Sequence, residues 1–281
     1  SEEPPRRDRA RLERAREPVK TPLKNAFLPN RPVDRTMVLA IHAFWLGLAL
    51  IAWIATPFAS LPGPHEVFTA LGSLWNTQGM APELFTTLKL IFHALVLTIV
   101  ISLVLSYVTV LPFFRPLVEG VSKLRFLGLT GLVIPFTLIT GGGYTLKVYL
   151  LTFGMTTFFV TSMAQVVMEI PRENFDHLRA LGASELRVVW EVVILGTADR
   201  AFDVMRQNVA MGWTMITMVE GISRAEGGLG AMILNQEKHF KLPEVYAILL
   251  VILIVGLLLD YGIGALTRAV CPYANLERMR R

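Results

Sequence analysis

Long apolar runs alternate with short polar segments along most of this chain. The first run, Met37 to Phe58, contains His42 as its only ionisable residue. At a helical rise of about 1.5 Å per residue, roughly 20 such residues cross a hydrocarbon core of about 30 Å. The pattern predicts six membrane-spanning helices, at 37–58, 84–111, 126–141, 146–168, 202–222 and 244–268. The third is short for a full crossing, and the fifth begins with Arg206 and ends at Glu220, leaving a short uncharged centre. The polar ends give a cytoplasmic basic tail over 1–36, a transmembrane domain over 37–270 and a C-terminal tail over 271–281.

Composition agrees with an all-α integral membrane protein. Hydrophobic residues make up 53% of the 281 and charged residues 17%, with a mean hydropathy of +0.51. Soluble domains carry about a quarter charged residues. All but five of the 27 lysines and arginines lie on the N-terminal side of the predicted topology. The other side keeps Lys89, Lys147, Arg224, Lys238 and Lys241. The positive-inside rule therefore puts both termini in the cytoplasm. The net charge of +5 reflects this topology rather than nucleic-acid binding. The first 36 residues hold no apolar h-region and predict no cleavable signal peptide. A single cysteine, Cys271, excludes an intrachain disulfide, and five scattered histidines give no metal-ligand spacing.

One polar segment, 169–200, has a helical pattern of its own. Pro171 suits a first helical position and Glu173 the first turn, where the helix dipole favours negative charge. Phe175, Leu178 and Leu181 share a face, Gly182 is the stop, and Ser184 with Glu185 opens a second helix. Leu186, Val189, Trp190 and Val193 form a second apolar stripe. Two amphipathic helices at a glycine corner predict a cytoplasmic knob. Its stripes pack on each other and on the span ends, leaving Asp176, Arg179 and Arg187 for a partner. A loop lying flat among lipid headgroups is the other reading of the same pattern.

The loop resembles the EAA loop of binding-protein-dependent ABC importer permeases. Aligned on Gly182, the acidic position is Asp176, the two alanines are replaced by His177 and Leu178, and the closing positions are Val192, Ile194 and Leu195, without the final proline. The Leu181-Gly182-Ala183-Ser184 core is similar to the sulfonate/taurine, nitrate and bicarbonate branch. So are Leu61-Pro62-Gly63-Pro64, Arg115-Pro116-Leu117, Gly227-Gly228-Leu229-Gly230, and Gly256 with Asp260. The resemblance implies a type I importer permease with cytoplasmic coupling helices in the bacterial inner membrane. Asp176, His177, Leu178, Arg179, Leu181, Gly182, Ala183, Ser184 and Arg187 would then meet an ABC ATPase subunit. A second permease copy, forming a homodimer, a periplasmic or lipid-anchored solute-binding protein and membrane lipids complete the implied partners. The chain has no phosphate-binding glycine loop of its own, so ATP and Mg belong to the partner ATPase, and no cofactor is expected on this chain.

Polar residues inside spans are costly and mark candidate solute contacts. The candidates are Gln165 on the fourth span and Arg206, Asn208, Thr214, Thr217 and Glu220 on the fifth. Threonines in spans also bond their own backbone or a neighbouring helix, and Arg206 reads first as an ordinary interfacial anchor and second as an attractor for an anionic solute. Asp260 is expected in a structural ion pair with Arg268 or a loop arginine. Met205, Met211, Met215 and Met218 with Trp213 read as packing. A scaffold that only recruits a soluble partner through the loop is the alternative to a transporter. A membrane enzyme would need convergent catalytic groups, which the spacing does not supply.

Overall fold

The computed structural model describes residues 33–55, 61–223 and 226–270. Most of the basic N-terminal tail, Arg224, Cys271 and the C-terminal tail lie outside the described residues. Every regular element among those described is helical. Contacts divide the chain at Pro64 into two units. The first holds α1, Arg35–Ala55, where Trp53 Nε1–H donates to Pro62 O at 3.0 Å.

The second unit holds the remaining helices. Amphipathic α2 (Pro64–Asn76) buries Val67, Ala70 and Leu74. The long α3 (Met80–Val108) follows, then short α4 (Arg115–Lys123) and α5 (Leu129–Thr140). Next come α6 (Gly143–Met168), α7 (Arg172–Ala180) and α8 (Glu185–Val188), which continues as a π-helical segment, Val189–Leu195. Helices α9 (Ala198–Ile222), α10 (Leu229–Lys238) and α11 (Leu242–Val270) complete the unit.

Four helices, α1, α3, α6 and α11, are long and apolar enough to cross a membrane. They match four predicted spans to within a few residues. The other two differ in instructive ways. Helix α5 has only 12 residues, about 18 Å of rise, and the segment Pro112–Phe126 before it is bent from it by 114°. The expected third span over 126–141 is thus a short helix paired across a sharp bend with the segment before it, the geometry of a broken span or of a re-entrant loop. Helix α9 is continuous over 25 residues but too polar to pass on composition alone. Its place in the bundle explains this: Val204, Asn208, Val209, Gly212, Trp213, Ile216, Val219 and Glu220 are buried against protein, so its polar groups can find protein partners.

Helix α6 is the centre of the unit, packed along α3 and α9 and touched by α4 and α5. One cluster joins Leu90, Ile91 and Ala94 of α3 to Val148, Leu151 and Met155 of α6 and to Trp213 and Ile216 of α9. A second joins Phe159, Met163 and Val167 to Val193 and Val204, seating the polar loop on the ends of the spans. Between helices in lipid there is little hydrophobic driving force, so close packing and small residues carry the association. A Cβ on Gly212 would come within 2.6 Å of Met155 Sδ, and one on Gly230 would lie 2.6 Å from Thr217 Cα.

The two contacts differ in what can yield. Met155 is a flexible side chain, whereas Thr217 meets Gly230 with backbone. Gly230→Ala is expected to destabilise the solubilised chain by about 2–3 kcal/mol, and Gly212→Ala by less than about 1 kcal/mol. Thermal or denaturant unfolding in one detergent checks the ranking.

Candidate functional site

The polar loop is a helical corner held by backbone geometry. Helix α7 starts after Pro171, which takes the N-cap position with extended backbone (ψ 137°) rather than the first helical position. At the other end Gly182 N–H donates to Arg179 O at 2.9 Å and Ala183 N–H to Leu178 O at 3.1 Å. This is a Schellman turn with Gly182 left-handed at φ 80°. Ser184 sits at the N-cap of α8, as expected, but its hydroxyl makes no capping bond. Its carbonyl accepts from Val188 N–H at 2.9 Å.

The corner brings Arg179 onto Glu185, six residues on. The guanidinium donates twice, Nε to Oε1 at 2.8 Å and Nη2 to Oε2 at 2.9 Å, and also reaches Asp176 at 3.4 Å. These hydrogen bonds hold the Glu185 carboxyl below its ordinary pKa. Arg187 pairs with Glu191 at 2.7 Å, and Arg200 lies 3.6 Å from Glu169. Arg179 and Arg187 thus each pair with a carboxylate of the loop while their side chains stay 47% and 70% exposed. The Gly182 turn brings Glu185 to Arg179, whereas Arg187 and Glu191 lie one turn apart on the same helical run.

What the loop offers outward is apolar. Leu181 is 70%, Leu186 86% and Trp190 56% exposed. The expected stripe of Leu186, Val189, Trp190 and Val193 is split, because the chain changes winding at Val189. In the π segment Gly196 N–H bonds Glu191 O, five residues back, at 3.0 Å. Val188 and Val193 turn inward and are fully buried, while Leu186 and Trp190 face out. Asp176 and His177 are exposed, and Leu178 and Ala183 half-buried. Clefts of about 650 and 470 Å³ flank the knob, the first lined by Arg115, Arg172, Phe175, Asp176 and Arg179, the second by Asn174, His177 and Arg200.

The candidate solute contacts do not converge on one point. Gln165 is exposed and donates to Glu169 at 3.3 Å. Arg206 makes a two-pronged pair with Asp260, Nε–Oδ1 2.5 Å and Nη2–Oδ2 2.7 Å, so Asp260 is ion-paired, but to neither partner expected for it. Asn208 is buried against α6; with its amide turned so that both ends are satisfied, its nitrogen donates to Met155 O (2.9 Å) and its oxygen accepts from Phe159 N–H (3.1 Å). The Thr214 hydroxyl donates to Met211 O at 2.7 Å and that of Thr217 to Thr214 O at 3.3 Å. Thr214 lies with Gln207, Ala210, Met211 and Met218 on the exposed face of α9.

Glu220 belongs to a buried clasp at the far end. Helix α6 runs from this clasp to the loop and α9 runs back, so clasp and loop occupy opposite ends of the bundle. Glu220 accepts from Thr87 Oγ1 and from Gly230 N–H, both at 2.7 Å. Thr87 Oγ1 in turn accepts from Leu229 N–H at 2.9 Å, and Glu83 accepts from Gly228 N–H. Lys147, 1% exposed, donates to Gly227 O at 2.9 Å. Gly228 has φ 109°, and a Cβ there would collide with the Glu220 carboxylate. Sequence reasoning singled out Glu220 but not Glu83 or Thr87, and read Lys147 only as an outer-face charge. A lysine one turn inside an apolar run was the available signal.

The second unit is thus an apolar helical bundle with a helical knob at one end and a closed polar clasp at the other. Comparison with known proteins shows what this arrangement is similar to. No family profile matches the chain. It is 26% identical over 261 residues to the taurine transport system permease protein TauC of Escherichia coli K12, covering 86% of this chain and 92% of that one. It is 22% identical over 222 residues to a probable ABC transporter permease of Brucella melitensis biotype 1, covering 78% and 89%. Its fold matches inward-facing structures of the MetNI methionine ABC transporter, with a TM-score of 0.60, 21% identity and coverage of 71% of this chain and 98% of that one. Along most of its length the chain is thus similar in sequence to ABC transporter permeases, a taurine transport permease among them, and it shares the fold of a chain of the MetNI methionine ABC transporter.

Two outcomes follow from this geometry. Glu220→Ala leaves the Gly230 N–H and Thr87 hydroxyl without their acceptor and Lys147 without one of its neighbouring carboxylates, a loss of about 3 kcal/mol or more in unfolding experiments. The Arg179–Glu185 pair has the opposite profile. Because the folded Glu185 carboxyl is held low, its contribution is present above the ordinary carboxylate range, near pH 4, and is lost as pH falls through the lowered value. Because the pair is exposed and the Schellman turn sets the corner, spin labels at Asn174 and Leu186 should keep their mean separation from pH 8 to 5 in the parent and in Glu185→Gln, the distance distribution broadening slightly only below that range in the parent and throughout in Glu185→Gln.

Proposed function

We propose that this chain is the permease of an ATP-driven importer for a small anion of the sulfonate class, and that it couples to an ABC ATPase through the knob at Arg172–Leu195. The observation that carries the coupling role is the exposed apolar set Leu181, Leu186 and Trp190 on a corner where Arg179 and Arg187 are each held by a loop carboxylate. Apolar side chains on a rigid, self-satisfied turn suit insertion into a cleft of a folded protein. The sulfonate class rests on the relative named for taurine transport, taurine being a zwitterion whose sulfonate carries its negative charge.

In this reading the transmembrane domain covers 37–270, and the tails 1–36 and 271–281 share the cytoplasm with the knob, as the lysine and arginine bias requires. The membrane is the bacterial inner membrane. A second copy pairs with this one, and the exposed α9 face around Gln207, Met211 and Thr214 lines the route between them. Asp176, His177, Leu178, Ala183, Ser184, Arg179 and Arg187 form the seat around the apolar contact. ATP and Mg are bound by the ATPase, and a solute-binding protein supplies the anion at the clasp end.

Gly182 provides the test. A Cβ there meets open space, so only its left-handed backbone resists substitution. Gly182→Val should leave the bundle folded while lowering solute-stimulated ATPase activity of the reconstituted complex more than about tenfold. Unchanged coupling would refute the role of the knob. Taurine uptake into proteoliposomes tests the solute class. A scaffold would bind its partner without any solute-dependent ATP turnover.

A further inference from the structure

At the clasp end, helix α10 closes on Phe240, the one non-glycine residue with positive φ (54°) among those described. Phe240 N–H donates to Glu237 O at 3.0 Å and Lys241 N–H to Gln236 O at 3.1 Å. This is the turn that Gly182 makes in the loop, built here with a phenylalanine where glycine fits without strain. The ring does not offset that strain by packing, for the residue is 86% exposed. The mount beneath is firm: Gln236 is buried and its amide donates to Gln78 at 2.6 Å. Around the ring Lys238, His239 and Lys241 are exposed, and neither lysine has an ion-pair partner among the described residues. His239 Nδ1 is occupied by Asn235 O at 2.7 Å.

We propose that Phe240 is the docking aromatic for the solute-binding protein, seated in an apolar pocket of that protein rimmed by carboxylates that meet Lys238 and Lys241. The proposal rests on the permease reading above. A strained backbone held on a rigid mount fixes the direction of the ring, which serves a partner with a pocket in a defined place. A lipid surface offers no such fixed partner and gains nothing from it. Exposed aromatics of this kind become the energetic centre of protein interfaces, and flanking charges steer the encounter. Backbone strain kept at an exposed side chain points to use of that side chain.

The experiment uses the permease–ATPase complex in nanodiscs, titrated with the purified, solute-loaded binding protein of the same transporter. Phe240→Gly removes the ring and relieves the backbone together. It should raise the half-maximal binding-protein concentration at least about tenfold, with basal ATPase activity unchanged and thermal stability equal or higher. Phe240→Trp should stay close to the parent. Lys238→Gln with Lys241→Gln should slow association and flatten its salt dependence. Phe240→Gly with an unaltered titration overturns the proposal, as does a loss of stability in nanodiscs with stimulation intact, which would make the ring a membrane anchor. If the parent complex binds no ATPase or ignores the binding protein, the permease reading fails and the docking role falls with it.

Discussion

Three consecutive backbone N–H groups, those of Gly228, Leu229 and Gly230, set the condition that the far end of the bundle must meet. They open α10 beside apolar helices, where water is not at hand to satisfy them. The chain answers with side chains from two other helices, Glu83 and Thr87 from α3 and Glu220 from α9, while Lys147 of α6 takes the preceding carbonyl. Four helix ends are thereby fixed to one short stretch of backbone. Burying charged groups is costly, and the arrangement is stable only because every named polar atom in it is matched.

The same logic runs through α9. A helix with this many polar residues would be poor against lipid, so it is covered by α6 along one side and clamped there by Asn208. Trp213 Nε1–H donates to Ile252 O at 2.7 Å, and a Cβ on Gly256 would come within 2.9 Å of that indole. Arg206 is neutralised by Asp260 of α11. With these groups engaged, the polar character left over is confined to the face carrying Gln207 and Thr214. A permease route needs just such a division between side chains that hold helices together and side chains that stay available.

Periodicity and punctuation made the four long spans and the helical corner legible in sequence, because an apolar run and a Gly stop are local signals. The Schellman turn at Gly182 needed only nearby residues. The clasp was hidden for the opposite reason: Glu83 and Gly228 are 145 positions apart, and Lys147 and Gly227 are 80 apart. No local pattern links them. The Arg206–Asp260 pair was hidden in the same way, and the sequence offered nearer but unused partners. The 114° break before α5 and the split stripe at Trp190 were missed because apolar content is the same whether a segment runs straight, bends or winds as a π-helix.

The π winding at Val189–Leu195 gives the knob an unusual kind of adjustability. A π turn is an α-helix that has taken in one extra residue, and each residue of an α-helix turns the chain by roughly 100°. Losing a single codon here would let the segment relax to α geometry and swing Leu186 and Trp190 about the helix axis, with the bundle beneath left as it is. Gaining one back would reverse the swing. A one-residue insertion or deletion in this segment therefore re-aims Leu186 and Trp190 without altering either side chain.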